Sequence, residues 1–192
     1  MNKFTKLMCA TATVLFLAGC SVPTATTTPA TDQNDAPATA AADQEKPAAV
    51  EWNKKEIDVV DNGNIPVAVD VLKGAGDIKA QATTPAAGEV FKAPWNHYGK
   101  VVKLTGAVAI VQEYPPESDI AAALESDSVS EMVLIAEDGT LIDFIASTSS
   151  GDVQVGSTVA VYGYPVGHVT VDNKLGGQTE QLAIVGNAFD IQ

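Results

Sequence analysis

The side chains with the most evident chemical potential are two histidines, His97 and His168, in a chain rich in carboxylates. Imidazole and carboxylate groups are common metal ligands, and Asp172 could join both histidines if their loops converge. The two histidines are far apart in the sequence, however, and neither has a recognised ligand spacing. A histidine without a metal is the commoner case, so a metal site at these residues is kept as an alternative only.

The sequence predicts no catalytic centre and no cofactor. A serine nucleophile needs a strained turn such as Gly-x-Ser-x-Gly, which is absent, and Ser147 to Ser150 is better interpreted as a loop. Because the chain has 24 acids, neighbours such as Glu137 and Asp138 are expected on solvated turns and identify no general acid or base. We therefore expect a protein that is not an enzyme.

The charge of the chain excludes nucleic acid as a partner. All 11 basic residues are lysines, and the formal net charge is −13. Nucleic-acid binding draws its affinity from neutralised phosphates, and arginine supplies the fork that recognises phosphates and base edges. A chain with no arginine and this excess of acids repels a phosphate backbone.

The beginning of the chain is typical of an export signal. Lys3 and Lys6 precede an apolar run from Leu7 to Ala18, which is too short for the roughly 30 Å hydrocarbon core of a bilayer. The run closes with Leu17-Ala18-Gly19-Cys20, which resembles the lipobox of bacterial lipoproteins. The resemblance implies cleavage before Cys20, a diacylglyceryl group on the Cys20 thiol, and a further acyl chain, such as palmitate, on the new amino terminus.

This resemblance places the protein in the cell envelope, with the lipid bilayer as a partner. Two or more acyl chains give a stable anchor, whereas one gives marginal binding. Ser21 follows the acylated Cys20, which implies an outer-membrane location if the source is Gram-negative. Cys9 is lost with the signal, so the mature chain forms no disulfide.

Four segments follow from composition and pattern. An Ala/Thr/Pro-rich stretch without aromatic residues has nothing to build a core with and is interpreted as a disordered tether. The segments are a signal peptide at 1–19, the lipidated cysteine and tether at 20–50, an N-terminal extension packed on a barrel at 51–94, and the barrel itself at 95–192.

The extension contains an ambiguous stretch and a short helix. Two β-branched runs, Ile57 to Val60 and Val67 to Leu72, flank the turn-forming Asp61-Asn62-Gly63-Asn64 and predict a hairpin. A helix from Val67 to Leu72 stays open, because short apolar runs are ambiguous. Pro85 to Phe91 predicts a short helix capped by Thr84.

The remainder of the chain predicts five strands. A long first strand has Val102, Leu104, Val108 and Ile110 alternating inward, with a bulge or bend at Gly106. The other predicted strands are Glu131 to Ala136, Leu141 to Ala146, Ser157 to Tyr164 with a continuation from Val166 to Val171, and Thr179 to Val185. An Asp-Gly turn joins the first two of these. We expect a mainly β protein with a small five-stranded Greek-key barrel.

Two glycine-punctuated segments carry a further resemblance. Tyr98 to Val108 and Val155 to Gly163 each place a hydrophobic strand next to glycine, and they resemble the OB-fold, in particular bacterial domains similar to the tRNA-anticodon-binding domain. Ser147 to Asp152 departs from that pattern, because it leaves space for little more than a turn where an OB-fold usually carries a helix. Residues 95–192 hold three lysines and thirteen carboxylates, so we do not expect the oligonucleotide binding that the fold would imply.

The sequence favours a binding module over an enzyme. The longest insertion, Pro115 to Ser128, is acidic and connects the first two strands, where OB-folds place binding contacts. We expect a protein, peptide, glycan or small ligand to bind there and at nearby aromatic residues. The candidate ligand-binding residues are Trp95, Tyr98, Tyr114, Tyr162 and Tyr164.

Overall fold

The computed structural model of the protein describes residues 51–173 and 175–192. The predicted export signal, the Cys20 anchor and the tether lie outside the described residues. Of the helices in these two ranges, none has both the length and the apolar character needed to cross a bilayer.

Five strands form a closed barrel. The strands are β1 Val102–Tyr114, β2 Val129–Ala136, β3 Leu141–Ala146, β4 Thr158–Asp172 and β5 Gln178–Ile191. They pair in the order β1-β2-β3-β5-β4, and β4 returns to pair with β1. All neighbours are antiparallel except β3 and β5, which run parallel. The prediction of a mainly β protein with five strands is confirmed.

The bulge in β1 lies after the position that the sequence suggested. The register with β2 shifts between Val108 and Ile110, so Ile110 points outward and is 50% exposed instead of packing inside. Gly106 has another role. A Cβ placed on it would lie 2.8 Å from the carbonyl oxygen of Ile135, so glycine is needed there for close approach of the two strands.

The predicted hairpin between Ile57 and Leu72 is wrong, and the helical alternative is confirmed. Helix α1 covers Val59–Asn62 and helix α2 covers Asn64–Gly74. Gly63 separates them with a left-handed φ of 70°, while the Asp58 side chain caps α1 by accepting from the N–H of Val60. The turn-forming residues therefore join two helices instead of two strands.

Asparagine side chains hold the junction of α1 and α2 against the barrel. The Nδ2 group of Asn62 donates to the carbonyl of Val166 in β4 at 2.8 Å, and Oδ1 of Asn62 accepts from the N–H of Asn64 at 2.8 Å. Both asparagines are buried. A hairpin would lose these side-chain contacts with β4, which explains why tertiary structure overrides the local β propensity.

Helix α3, Ala87–Lys92, closes the interior of the barrel. Ala87 and Val90 belong to the same buried cluster as the inward residues of all five strands. The helix starts two residues later than predicted, and its N-cap is Ala86, which makes no side-chain hydrogen bond, instead of Thr84. Short 3-10 segments lie between α2 and α3 at Lys79–Gln81 and between α3 and β1 at Pro94–Asn96.

A second core lies on the outside of the barrel. Ala68, Val69 and Leu72 form one face of α2 and pack in the cluster that contains outward residues of β3, β4 and β5. Helix α4, Asp119–Leu124, lies in the predicted acidic loop and joins the same cluster through Ala121 and Leu124. Part of the barrel surface is therefore covered by helices. On the outward face of β1 and β2, Ile110 and Ile135 are still exposed.

Candidate functional site

Three of the predicted ligand-binding tyrosines are core residues. Tyr98, Tyr162 and Tyr164 are 7%, 6% and 3% exposed and lack the surface that a ligand would need. Trp52 stacks on Tyr98 at 5.6 Å between ring centres and contacts Tyr164 at 6.2 Å. This corrects the sequence-based assignment, because the segment before α1 covers these rings with an aromatic residue that the sequence analysis had not placed.

Trp95 and Tyr114 keep some exposure but lie on opposite sides of β1 in the chain, one before the strand and one at its end. Trp95 is 39% exposed in the 3-10 segment that precedes β1. Tyr114 is half-buried and is the last of the 13 residues of β1. The structure therefore does not gather the five predicted aromatic residues at one surface, and of the two that keep exposure it is Tyr114 that belongs to a polar cluster.

The two histidines do not assemble a metal site. His168 is 6% exposed, and its Nδ1 and Nε2 lie 2.8 Å from Oε1 of Glu180 and 2.8 Å from the carbonyl of Phe91. His97 lies 3.9 Å from Glu89. Across 51–173 and 175–192, no three His, Cys, Asp or Glu side chains are grouped to hold a metal, so His97, His168 and Asp172 are not gathered as the alternative required.

The structure assigns His168 a packing role. Its ring stacks on Phe91 at 4.3 Å between ring centres, with an interplanar angle of 14°. Together with the hydrogen bond to the Phe91 carbonyl, this contact joins the end of α3 to β4.

A polar cluster lies on the outward face of β1, β2 and β3, next to the acidic loop. We call Gln112, Tyr114, Glu131 and Asp143 the acidic cluster. The bulge in β1 turns Gln112 and Tyr114 outward, and the register places Gln112 opposite Glu131. Val133 of β2 lies opposite Asp143 of β3, so Glu131 and Asp143 are diagonal neighbours on one face.

Hydrogen bonds order this cluster around Glu131. Its Oε2 accepts from Nε2 of Gln112 at 2.6 Å and from the hydroxyl of Tyr114. The carboxyl groups of Glu131 and Asp143 are close enough to form a hydrogen bond when one of them carries a proton. Oδ1 of Asp143 is buried and is without a hydrogen-bond partner. Glu131 is half-buried and is therefore the carboxylate that a ligand can reach.

Burial and like charge raise the pKa values in the cluster. Burial raises the pKa of Asp143 to about 7, and the neighbouring carboxyl of Glu131 adds to the shift. The pKa of Tyr114 also rises well above its usual value, first through burial and then through the hydrogen bond and charge of Glu131. Tyr114 therefore acts as a hydrogen-bond donor at neutral pH.

No cation of the described chain neutralises the cluster. Among the salt bridges of residues 51–173 and 175–192, none includes Glu131 or Asp143. The nearest loop is acidic, and its helix α4 begins with the Ser118 side chain accepting from the N–H of Ala121. The negative charge of the site is left for an outside group to balance.

Sequence reasoning identified Tyr114 and the acidic loop but missed Gln112 and Asp143. Asp143 interrupts the apolar run Leu141-Ile142-Asp143-Phe144-Ile145, and an acid in a short, otherwise buried strand is a signal for a special environment. Gln112 had no comparable signal, because its outward position depends on the bulge.

Comparison with known proteins adds no relative: neither a protein-family model nor a curated protein matches this sequence.

Proposed function

We propose that the protein is a lipid-anchored cell-envelope lipoprotein whose OB-like barrel binds a ligand bearing a cationic group at the acidic cluster. The ligand is a protein, peptide, glycan or small molecule that carries an amine or a guanidinium. The proposal includes no enzymatic activity and no nucleic-acid partner.

The OB-like assignment is supported by topology. A five-stranded barrel in the order β1-β2-β3-β5-β4, with β3 parallel to β5, agrees with the resemblance in the strand sequences. The turn after β3 carries no helix, and α3 from before β1 closes the barrel interior instead. An element from another place in the sequence thus fills the position of the missing helix.

The observation that carries the proposed binding is the uncompensated pair of carboxyls at Glu131 and Asp143. Oδ1 of Asp143 has no hydrogen-bond donor, and the two donors to Glu131, the Gln112 amide and the Tyr114 hydroxyl, carry no charge. A bound cation would favour the charged form of both carboxyls and replace the shared proton. Tyr114 and Gln112 hold Glu131 in place, so little side-chain entropy is lost on binding.

The binding proposal is tested with a blocked lysine, N-acetyl-lysine methylamide, and its uncharged norleucine analogue. In an NMR titration at low salt, we expect the lysine compound to shift the amides of Gln112, Glu131 and Asp143. The norleucine analogue should leave them unchanged. Glu131→Gln should weaken the affinity at least about fivefold, since one charge-assisted contact is lost. Affinity should rise between pH 6 and pH 8 as Asp143 ionises.

The matched control is Glu137→Gln, which removes the same charge from the turn after β2. It should leave the affinity within about twofold. Equal losses from Glu131→Gln and Glu137→Gln would show that only the overall charge attracts the ligand. A cluster that gives no response to the lysine compound would contradict the proposed site.

The proposed anchor predicts a defined amino terminus. Mass spectrometry of the mature protein from its native membrane should find Cys20 as the first residue, carrying a diacylglyceryl group and a further acyl chain. Cys20→Ser should abolish both processing and membrane attachment. An unmodified Cys20 in the native protein would refute the anchor while leaving the binding proposal intact.

A further inference from the structure

One stretch of β1 lacks a strand partner on one of its edges. From Val102 to Ala107, β1 pairs with β4, whereas its ladder with β2 begins only at Gly106. On the β2 side, the sole backbone partner before Gly106 in the described chain is Thr83, which forms an isolated parallel bridge with Val102. The edge between these two contacts is open.

The hydrogen-bonding direction of this edge is fixed by its neighbours. The N–H of Lys103 donates to the carbonyl of Thr83 at 2.7 Å, away from β4. Alternate residues of a strand point their backbone groups to the same side, so the carbonyl of Lys103 and the backbone groups of Thr105 also face away from β4. The pairing of Gly106 with Ala136 sets the Thr105 carbonyl opposite the N–H of Glu137, so the groups that face the open edge are the carbonyl of Lys103 and the N–H of Thr105.

Proline stops the chain itself from filling the edge. In the parallel ladder started by Thr83, the next donor to the Lys103 carbonyl would be residue 85. That residue is Pro85, which has no N–H. The segment after it turns away into α3, so the ladder ends after a single bridge.

A groove lies over this edge. It has a volume of about 490 Å³, with Thr84 to Ala87 on one wall, Lys103 to Thr105 along the β1 side, and Ala136 to Asp138 at the β2 end. Thr105 is exposed, whereas Leu104 is buried beneath it. At the β2 end of the groove, Oδ2 of Asp138 accepts a hydrogen bond from the N–H of Gly88 at 2.8 Å, which ties this end to α3.

We infer that this groove binds an extended peptide segment of another protein, which adds a short strand to the open edge of β1 between Thr83 and Gly106. The partner segment carries a basic residue at the end that meets Glu137. This site is separate from the acidic cluster, and the inference does not depend on the proposed cation binding.

The groups in the groove favour a peptide as occupant. A row of alternating backbone acceptors and donors at strand spacing is matched by another peptide backbone, as in strand addition to sheet edges. Asp138 is already engaged by Gly88, which leaves Glu137 as the free acid on the rim. A second copy of the chain is disfavoured, since two molecules with a net charge of −13 repel each other.

The test uses the mature protein and the peptide acetyl-Thr-Lys-Thr-Val-Thr-amide. In the free protein, the Thr105 amide should exchange rapidly with solvent, and saturating peptide should slow its exchange at least about tenfold. Two peptide isomers, methylated on alternate amide nitrogens, separate backbone pairing from side-chain contact. One isomer should bind like the parent, and the other should bind at least about tenfold more weakly.

Protein variants supply matched controls. Thr105→Pro removes the exposed donor without touching the β4 ladder and should weaken peptide binding at least about tenfold, while Thr105→Val keeps the N–H and should bind normally. Circular dichroism checks that both variants fold. Glu131→Gln should leave the protection of the Thr105 amide by the peptide unchanged, which separates this site from the acidic cluster.

Three outcomes would overturn the inference. Equal binding of both methylated isomers would exclude a backbone ladder. A Thr105 amide that is already protected in the free monomer would mean that another part of the chain occupies the edge. Protection that grows with protein concentration, together with a dimer in sedimentation, would assign the edge to a second copy.

Discussion

Asp143→Asn is expected to stabilise the protein at pH 8 by about 2 kcal/mol relative to the unchanged chain. Asp143 is 7% exposed, has an unpartnered Oδ1 and lies beside Glu131. Ionising it inside the protein costs desolvation energy that an amide avoids. The amide also supplies a donor to the Glu131 carboxylate without needing a shared proton.

The effect depends on pH in a defined direction. Burial raises the pKa of folded Asp143 to about 7, whereas an unfolded Asp titrates near about 3.9. The stability contributed by its protonated form is therefore complete below about pH 4 and is lost as the pH rises through about 7. The advantage of Asp143→Asn should be near zero at pH 4 and largest at pH 8.

Urea unfolding of both proteins at pH 4.5, 6 and 8 measures this dependence. Asp152→Asn is the matched control, because Asp152 is exposed in the turn after β3, and it should not reproduce the gain in stability at pH 8. A variant at position 143 that is less stable than the unchanged chain at pH 8 would show that the Asp143 carboxylate is compensated by a cation or by solvent.

The barrel strands could be predicted because local patterns and tertiary contacts agree there. The Asp-Gly pair predicts a hairpin, and β2 and β3 form one. The alternation in β1 up to Val108 predicts which side chains point inward, and those side chains are buried. The bulge after Val108 has no comparable signature. It decides that Ile110, Gln112 and Tyr114 point outward, and so it decides the composition of the acidic cluster.

The candidate site was harder to predict because aromatic side chains suit a core and a binding surface equally well. Tyr98 and Tyr164 are buried by Trp52, a contact between residues distant in sequence. Helix α1 was missed, and the helix from Val67 to Leu72 was only the alternative, for a similar reason: Asn62 and Asn64 gain buried hydrogen bonds to Val166 only in the folded chain. Such contacts have no local pattern.

Gly186→Ala is expected to be the most destabilising small substitution, with a loss of about 3 kcal/mol and a fall in Tm of about 10 °C. Gly186 of β5 lies opposite Gly163 of β4, beside a register shift between Tyr162 and Gly163. A Cβ on Gly186 would collide with the carbonyl oxygen of Tyr162 and would lie 2.8 Å from the Phe144 ring. The oxygen belongs to the backbone, so a rotamer change cannot relieve the collision.

The consequence reaches the barrel closure, because β4 pairs with β5 on one side and with β1, where the barrel closes, on the other. Gly74→Ala is the matched control: Gly74 ends α2, and a Cβ there meets no atom within 4 Å. It should stabilise the protein by about 0.5 kcal/mol, since alanine favours a helix over glycine. Thermal unfolding followed by circular dichroism compares the two variants. A loss below about 1 kcal/mol for Gly186→Ala would mean that β4 and β5 separate easily at this point, and that the close approach of the two glycines is not needed to close the barrel.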